Sequence, residues 1–143
     1  NQAFFMSLLE SMPEQLMLVM AQRQGHPVGA ALCFVGDDTL YGRYWGCIEE
    51  FECLHFEACF YQGIEYCIER GLARFDPGAQ GEHKILRGFT PIDTWSLHWI
   101  EQKAFREAID DFLLREQRGM DHYRTDAETL LPFKQKSDQP TAD

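Results

Sequence analysis

Several features that mark common protein classes are missing from this sequence. No apolar run approaches the roughly 18 residues that a membrane-spanning helix requires. The N-terminal stretch NQAFFMSLLE has neither an initiator Met nor the basic region that begins a secretory signal. We therefore expect a cytoplasmic protein without stable membrane insertion, and a fragment whose N-terminal half is missing.

Positive charge is scarce as well. The chain has 13 Lys and Arg against 23 Asp and Glu, which gives a formal net charge of −10 at pH 7. Because nucleic-acid-binding proteins neutralise phosphates with clustered Lys and Arg, this balance argues against a dedicated nucleic-acid binder, and we expect no DNA partner. A local basic pocket is still compatible with this negative net charge.

The cysteine pattern excludes a disulfide framework. The five cysteines are odd in number, and they contain no CxxC pair. Without a secretory signal, they are expected to be reduced thiols of a cytosolic protein. They are Cys33, Cys47, Cys53, Cys59 and Cys67.

Length and periodicity predict one α+β domain over residues 1–133, followed by a polar, flexible tail at 134–143. A helix, three strands joined by tight turns, a second helix and a fourth strand come first. A polar loop, a fifth strand and two helical pieces follow. The predicted bounds are helix 2–11, strands from residue 15 to 46, helix 54–70, strand 72–76, loop 77–84, strand 93–99, helix 101–119 and helix 127–131.

The strand, helix and strand spanning residues 39–76 form a βαβ unit, which requires a parallel strand pair inside an otherwise antiparallel sheet. Gly71 stands where a left-handed glycine would end the helix. Alternate residues of the first strand are apolar on both faces, so we expect helices to cover that strand on both sides. The helix at 101–119 should bury Phe105, Ile109, Phe112 and Leu113 and stop at Gly119.

Metal and thiol sites are disfavoured by spacing and charge. Cys47, Cys53, His55 and Cys59 do not show the paired ligand spacing of structural zinc sites, so we predict no metal. Cys53 precedes a helix, but the surrounding carboxylates disfavour a thiolate there.

The loop at 77–84 is the stronger candidate site. It combines two glycines, which give a backbone room to approach a ligand, with a carboxylate, an imidazole and two cations nearby. A solvated surface loop would show a similar composition, so both interpretations stay open. The candidate residues are Gly78, Gln80, Gly81, Glu82, His83, Lys84 and Arg87.

The start of the helix at residue 54 is the second candidate. His55 and Glu57 are two residues apart and therefore point to different faces of the helix. Tyr41 and Tyr44 on the preceding strand could contact substrate or could simply be core aromatics.

Three short strings carry a family resemblance over roughly residues 15–120. Leu40-Tyr41-Gly42, Leu54-His55-Phe56-Glu57 and Phe75-Asp76-Pro77-Gly78, with Gly71 between the last two, resemble the Fem-type peptidoglycan aminoacyltransferases in order and spacing. The string GAQGEHK with RGF after it is similar to bacterial N-acyltransferases described as peptidoglycan biosynthesis or recognition proteins.

The resemblance implies a GNAT-like fold, here the C-terminal half of a tandem protein, with a mixed, mostly antiparallel sheet flanked by helices. It implies transfer of an acyl or aminoacyl group to an amine of a cell-wall precursor or another small molecule, with acyl-CoA or aminoacyl-tRNA as donor and no firmly implied cofactor. Glu57 and His83 would be base candidates and Lys84 a catalytic cation. Tyr41, Tyr44, His55, Gly78, Gln80, Gly81, Glu82 and Arg87 would contact substrate.

One stretch departs from the GNAT pattern. Residues 49–54 stand where a glycine-containing loop usually holds the pyrophosphate of coenzyme A, but they contain Glu49, Glu50 and Glu52 and no glycine. A recognition domain that binds a cell-wall precursor or a protein partner without catalysis is therefore the alternative. The sequence does not indicate the oligomeric state.

Overall fold

The computed structural model describes residues 1–79 and 81–133. The chain divides into two compact units, residues 1–79 and residues 80–143, and each is described by itself. The expected single domain over 1–133 stays a prediction. Gln80 and the expected tail at 134–143 lie outside the described residues.

The first unit contains one four-stranded sheet, made in this order of β1 (Leu16–Arg23), β2 (His26–Val35), β3 (Thr39–Cys47) and β4 (Arg74–Asp76). Strands β1 to β3 form an antiparallel meander, and β4 pairs with β3 in parallel, as the βαβ pattern predicts. The elements are α1 (Gln2–Ser11), a 3-10 turn (Pro13–Gln15), β1 (Leu16–Arg23), β2 (His26–Val35), β3 (Thr39–Cys47), α2 (Leu54–Phe56), a π-helical segment (Glu57–Tyr61), α3 (Gln62–Arg70) and β4 (Arg74–Asp76).

The crossover between β3 and β4 is one continuous helical path made of α2, the π-helical segment and α3. Gly71 ends it with φ 67°, a left-handed conformation, and the N–H of Leu72 donates to the carbonyl of Cys67 at 2.9 Å. The predicted glycine stop is confirmed. The π segment was not predicted, because an added residue in a helical turn leaves the apolar spacing nearly unchanged.

The core of this unit lies between the sheet and α3. Leu40 of β3 is completely buried, and it forms a cluster with the buried thiols Cys33 and Cys67. Gly63 lets α3 approach β4, since a Cβ there would lie 2.5 Å from two ring carbons of Phe75.

The opposite face of β1 is less covered than predicted. Met17 packs against the core cluster, but Leu18 and Met20 on the other face are about half exposed. The expectation of helices on both sides of β1 is therefore wrong for this face, because α1 places its Phe4 and Phe5 against Tyr44 of β3 instead.

The second unit contains a 3-10 helix (Glu82–Arg87) and α4 (Lys103–Thr129). The predicted strand at 93–99 is wrong, because residues 89–100 have no regular structure and pair with no strand in the described chain. The predicted stop at Gly119 and the separate helix at 127–131 are also wrong. A single glycine costs only about 1 kcal/mol in a helix, which the rest of this long helix tolerates.

The predicted apolar stripe of α4 is present but not buried. Phe105, Phe112 and Leu113 are about half exposed, and Ile109 is partly buried. The buried residues of the described part of this unit are Ile85 and Ala127. None of the helices in the described residues combines the length and the hydropathy that a membrane crossing needs.

Candidate functional site

A bulge in β3 decides which of its side chains face the crossover helix. The register between β2 and β3 shifts after Leu32, so that Leu32 pairs with Tyr44 and Cys33 with Gly42. Arg43 is the additional residue, and the alternation of faces therefore reverses at this position.

The reversal separates the aromatic residues of β3. Trp45 meets His55 of the crossover helix, with ring centroids 5.7 Å apart. Tyr44 meets Phe5 of α1 at 5.4 Å, on the opposite face of the sheet. Without the bulge, Leu40 and Tyr44 would share a face, since they are four residues apart in a strand.

The parallel pairing of β3 and β4 is short. It comprises Thr39 with Arg74, Leu40 with Phe75 and Tyr41 with Asp76, after which β3 continues to Cys47 while β4 ends. In the described part of the first unit, no strand accompanies residues 42–47 on that side. An opening beside the carboxyl end of a strand pair, where neighbouring strands diverge, is a common position for ligand sites.

Asp76, the last residue of β4, has defined contacts. One carboxylate oxygen accepts a 2.8 Å hydrogen bond from the N–H of Gly78, and the other lies 3.6 Å from the guanidinium of Arg43. Arg43 also lies over the ring of Tyr41, 5.3 Å from its centroid. Asp76 thus fixes the first turn of the glycine-containing loop, and Gly78 takes φ 91°, which favours glycine.

His55 lies in an aromatic cluster. Its ring centroid is 5.3 Å from that of Phe60, 5.5 Å from Phe56 and 5.7 Å from Trp45, and its side chain is half-buried. Glu57, two residues later, is exposed, and its carboxylate accepts a 2.9 Å hydrogen bond from the amide of Gln62. The two side chains have different environments, as the helical spacing indicates.

The stretch before this helix is acidic and exposed. Glu49 pairs with Arg23 at 2.9 Å, and Glu50 and Glu52 are also exposed. Cys53 precedes the helix with φ 63°, in the left-handed region. This stretch contains no glycine-rich turn that could hold a pyrophosphate.

The two buried thiols are poorly suited to act as nucleophiles, because burial disfavours the thiolate. Burial raises the pKa of Cys33 to about 11, and the neighbouring Cys67 adds to the shift. Burial also raises the pKa of Cys67. No group of His, Cys, Asp or Glu suited to a metal ion occurs among the described residues.

In the second unit, the 3-10 helix organises the end of the candidate loop. Gly81 precedes it with φ 113°, and a Cβ there would overlap the ring of His83. The guanidinium of Arg87 donates to the carbonyl of His83 at 2.8 Å. The side chains of His83, Lys84 and Arg87 are half-buried, and Glu82 is exposed.

The candidates thus fall into two groups. The first unit holds Tyr41, Tyr44, His55, Glu57 and Gly78, and the second holds Gly81, Glu82, His83, Lys84 and Arg87. Gln80 is outside the described residues. Sequence reasoning missed Arg43 and Asp76, although Asp76 belongs to the FDPG string and could have been found from its position at a strand end.

The fold defines an α+β protein with a parallel crossover at one side of an antiparallel meander. The FemAB_like family profile, described as peptidoglycan biosynthesis/recognition, matches residues 1–135. The chain therefore belongs to the FemAB_like family, as the resemblance of its motifs indicates. No curated protein and no solved structure matches the chain significantly.

Proposed function

We propose that this protein transfers an aminoacyl or acyl group from an activated ester or thioester to an amine of a cell-wall precursor. The observation that carries the proposal is the end of the parallel pairing of β3 with β4 at Tyr41 and Asp76. Beyond it, no strand in the described part of the first unit pairs with that side of β3, next to Arg43 and a glycine-containing turn. Membership of a peptidoglycan biosynthesis/recognition family supports the choice of acceptor.

The reaction requires the amine nitrogen to attack the carbonyl carbon of the donor. A C–N bond forms, the bond to the leaving oxygen or sulfur breaks, and the amine gives up a proton. Glu57 and His83 are the base candidates for that proton. Lys84 and Arg87 are the candidate cations for a donor phosphate or for the developing oxyanion.

The remaining candidate residues would bind the substrate or hold other residues of the site in position. Asp76 would hold the turn at Gly78 and orient Arg43, through the contacts that both already make. The other substrate contacts are proposed for Tyr41, Tyr44, His55, Gly78, Gln80, Gly81 and Glu82.

The acidic stretch at 49–54 counts against acyl-CoA bound in the GNAT manner, so we place an aminoacyl ester of tRNA first, with its phosphates at the candidate cations Lys84 and Arg87. Three exposed carboxylates, of which Glu49 pairs with Arg23, would repel a pyrophosphate held at this stretch. Acyl-CoA is the second donor candidate.

Donor and residue roles are tested together. The protein is mixed with a precursor bearing a free amine and either aminoacyl-tRNA or acyl-CoA, each labelled on the transferred group. We expect label on the precursor from aminoacyl-tRNA, and a loss of about 10²-fold or more in His83→Ala and Lys84→Ala.

Matched controls are His122→Ala and Lys103→Ala, whose side chains are exposed on α4. These variants should keep the transfer rate. Unchanged transfer in His83→Ala and Lys84→Ala would remove the loop from the mechanism, and absence of transfer from both donors would refute the acyltransferase itself.

A recognition function is the second candidate, and the acidic stretch at 49–54 favours it too, because it lacks a donor cradle. In that case the precursor binds, as measured by calorimetry, while neither donor reacts. The same precursor preparation serves both measurements.

A further inference from the structure

The edge of the sheet at β1 lacks the usual protection of an edge strand. Natural edge strands carry charges, proline or a bulge, which prevent pairing with another chain. Residues 16–21 have the sequence LMLVMA, and the register shift of β1 falls only after Ala21. In the described residues, β2 is the one strand that pairs with β1.

The exposed face of this edge is apolar. Leu18 is 55% and Met20 49% exposed. Met20 pairs in register with Ala30, and Ala30 with Gly46, so these three residues share one face. The small side chains leave a mostly apolar groove of about 380 Å³, which Met20, Ala30, Gly46 and Ile48 help to line.

A segment of the second unit has the complementary pattern. Trp95, Leu97 and Trp99 alternate with Thr94, Ser96 and His98, and the three apolar residues are 87%, 100% and 78% exposed. The ring of His98 lies 2.8 Å from the hydroxyl of Ser96, so these polar side chains share a side, as alternate residues of a strand do. The segment thus has the alternation of a β-strand, but in the described chain it pairs with no strand.

We propose that residues 94–99 of one copy pair with the β1 edge of a second copy, and that the exchange is reciprocal. The two stretches have the same length, and three alternate apolar residues of each would form one continuous face. The groove that begins at Met20 gives an indole ring space beside the junction. Two identical junctions close a symmetric dimer.

The area involved is of the order that a dimer needs. A fully buried aromatic side chain removes roughly 150–250 Å² from water, and strand pairing covers about one side of each indole, so the four tryptophans of two copies bury on the order of 300–500 Å². The backbone edges of two six-residue junctions and the apolar side chains of β1 add to this area, toward the ~1,000 Å² expected of specific complexes. This inference does not depend on the proposed function.

The test is the mass of the protein in solution, measured by sedimentation over a range of concentrations. We expect a dimer for the wild type and, for Leu18→Lys and Leu97→Lys, a dissociation constant at least about tenfold higher. Ile68→Lys is the matched control, because Ile68 is an exposed aliphatic residue on α3. It should dimerise as the wild type does.

Mixing the two variants distinguishes a reciprocal exchange of residues 94–99 from other ways in which the substitutions could weaken the dimer. Each variant alone carries a Lys in both junctions, whereas a heterodimer of Leu18→Lys and Leu97→Lys has one native junction and one junction with both Lys residues. A junction that one Lys already breaks loses nothing more from a second, so the mixture should dimerise better than either variant alone. Circular dichroism verifies that the variants are folded. A monomeric wild type, or a mixture with no recovery, would overturn the proposal.

Discussion

The two units of this chain share an apolar pattern but differ in what covers it. In residues 1–79, the sheet and the crossover helix bury Cys33, Leu40 and Phe60. In residues 81–133, α4 shows the same helical spacing of large apolar residues, yet most of them are half exposed. Amphipathic spacing thus indicates which side of an element is apolar, while burial depends on what packs against that side.

The difference extends to the forces that hold each unit. The first unit relies on packing, which contributes roughly 25 cal/mol per Å² of buried apolar surface. Along α4 the contacts include exposed ion pairs at i,i+4 spacing, Lys103 with Glu107 at 3.7 Å and Arg115 with Asp111 at 2.7 Å. Such pairs contribute only about 0.3–0.5 kcal/mol each, so we expect α4 to be the less stable element.

The largest expected difference between the two units is in the stability lost when one aromatic side chain of each is truncated. Phe60 is 2% exposed and stacks on Phe56, so Phe60→Ala should lower the free energy of unfolding by about 3–5 kcal/mol. Phe112 is 54% exposed, and Phe112→Ala should change it by about 0.5 kcal/mol or less. Urea denaturation followed by far-UV circular dichroism measures both.

Equal losses of unfolding free energy in the two variants would contradict the proposed difference between the units. They would mean that the stripe of α4 is covered in solution as completely as the core of the sheet. A loss confined to Phe60→Ala supports the difference.

Replacing one glycine by alanine in each of α3 and α4 should give smaller changes in stability, and the two changes should have opposite signs. A Cβ at Gly63 would overlap Phe75, so Gly63→Ala should destabilise by about 1–3 kcal/mol. Nothing lies within 4 Å of a Cβ at Gly119, so Gly119→Ala should stabilise by about 0.5–1 kcal/mol. Thermal and urea unfolding of both variants test this, and a loss of stability in Gly119→Ala would show contacts around the middle of α4.

The fold of the first unit was predictable because its signals are local. Tight turns mark the meander, apolar spacing marks the crossover helix, and Gly71 marks its end, and all three occur in the structure. The segment at 93–99 has an equally regular alternation but no strand beside it. Alternating polar and apolar residues indicate that a segment suits a half-buried strand. Whether it forms one depends on a partner strand, which the local sequence does not specify.

The candidate site was predictable only in part. Motif strings pointed to Glu57, Gly78 and His83; the family match supports the resemblance of the strings, and the roles of these residues stay predictions. Arg43 and Asp76 were missed because their contact depends on a bulge and on the parallel register of β3 with β4. Neither feature leaves a pattern in the sequence, since a bulge shifts the alternation by only one residue.

Thiol labelling sharpens the comparison, because all five cysteines lie in the first unit. At neutral pH, Cys47 and Cys53 are exposed and should react quickly. Cys33 is buried and its pKa is raised to about 11, so it should react at least ~100-fold more slowly, through opening of the core. Mass spectrometry of partially labelled protein gives the rate at each site.

The two phenylalanine variants serve as the comparison for this measurement. Phe60→Ala should accelerate labelling of Cys33, and Phe112→Ala should leave its rate unchanged. Fast labelling of Cys33 in the wild type would show that the core of the first unit opens as readily as its surface.

The smallest expected effect concerns a surface carboxylate at the start of β3. The Thr39 hydroxyl, 2.6 Å from Asp38, is the main cause that lowers the pKa of Asp38 below its ordinary value. Desolvation opposes this shift, and the guanidinium of Arg74 at 3.0 Å adds to it. Because the folded pKa is the lower one, the stabilising contribution is complete above the unfolded pKa and is lost as pH falls through the folded pKa. Thr39→Val should therefore raise the pKa of Asp38, as measured by carboxyl NMR titration, and weaken the dependence of unfolding on acid pH.

Arg74→Gln should raise the same pKa by less, because water and salt around this exposed ion pair screen the charge of Arg74. Arg115→Gln removes a comparable exposed ion pair in the second unit and is the control that should leave Asp38 unchanged. A larger rise in Arg74→Gln than in Thr39→Val would make charge, rather than the hydroxyl hydrogen bond, the dominant cause. A shift in Arg115→Gln would show electrostatic coupling between two units whose packing is otherwise so different.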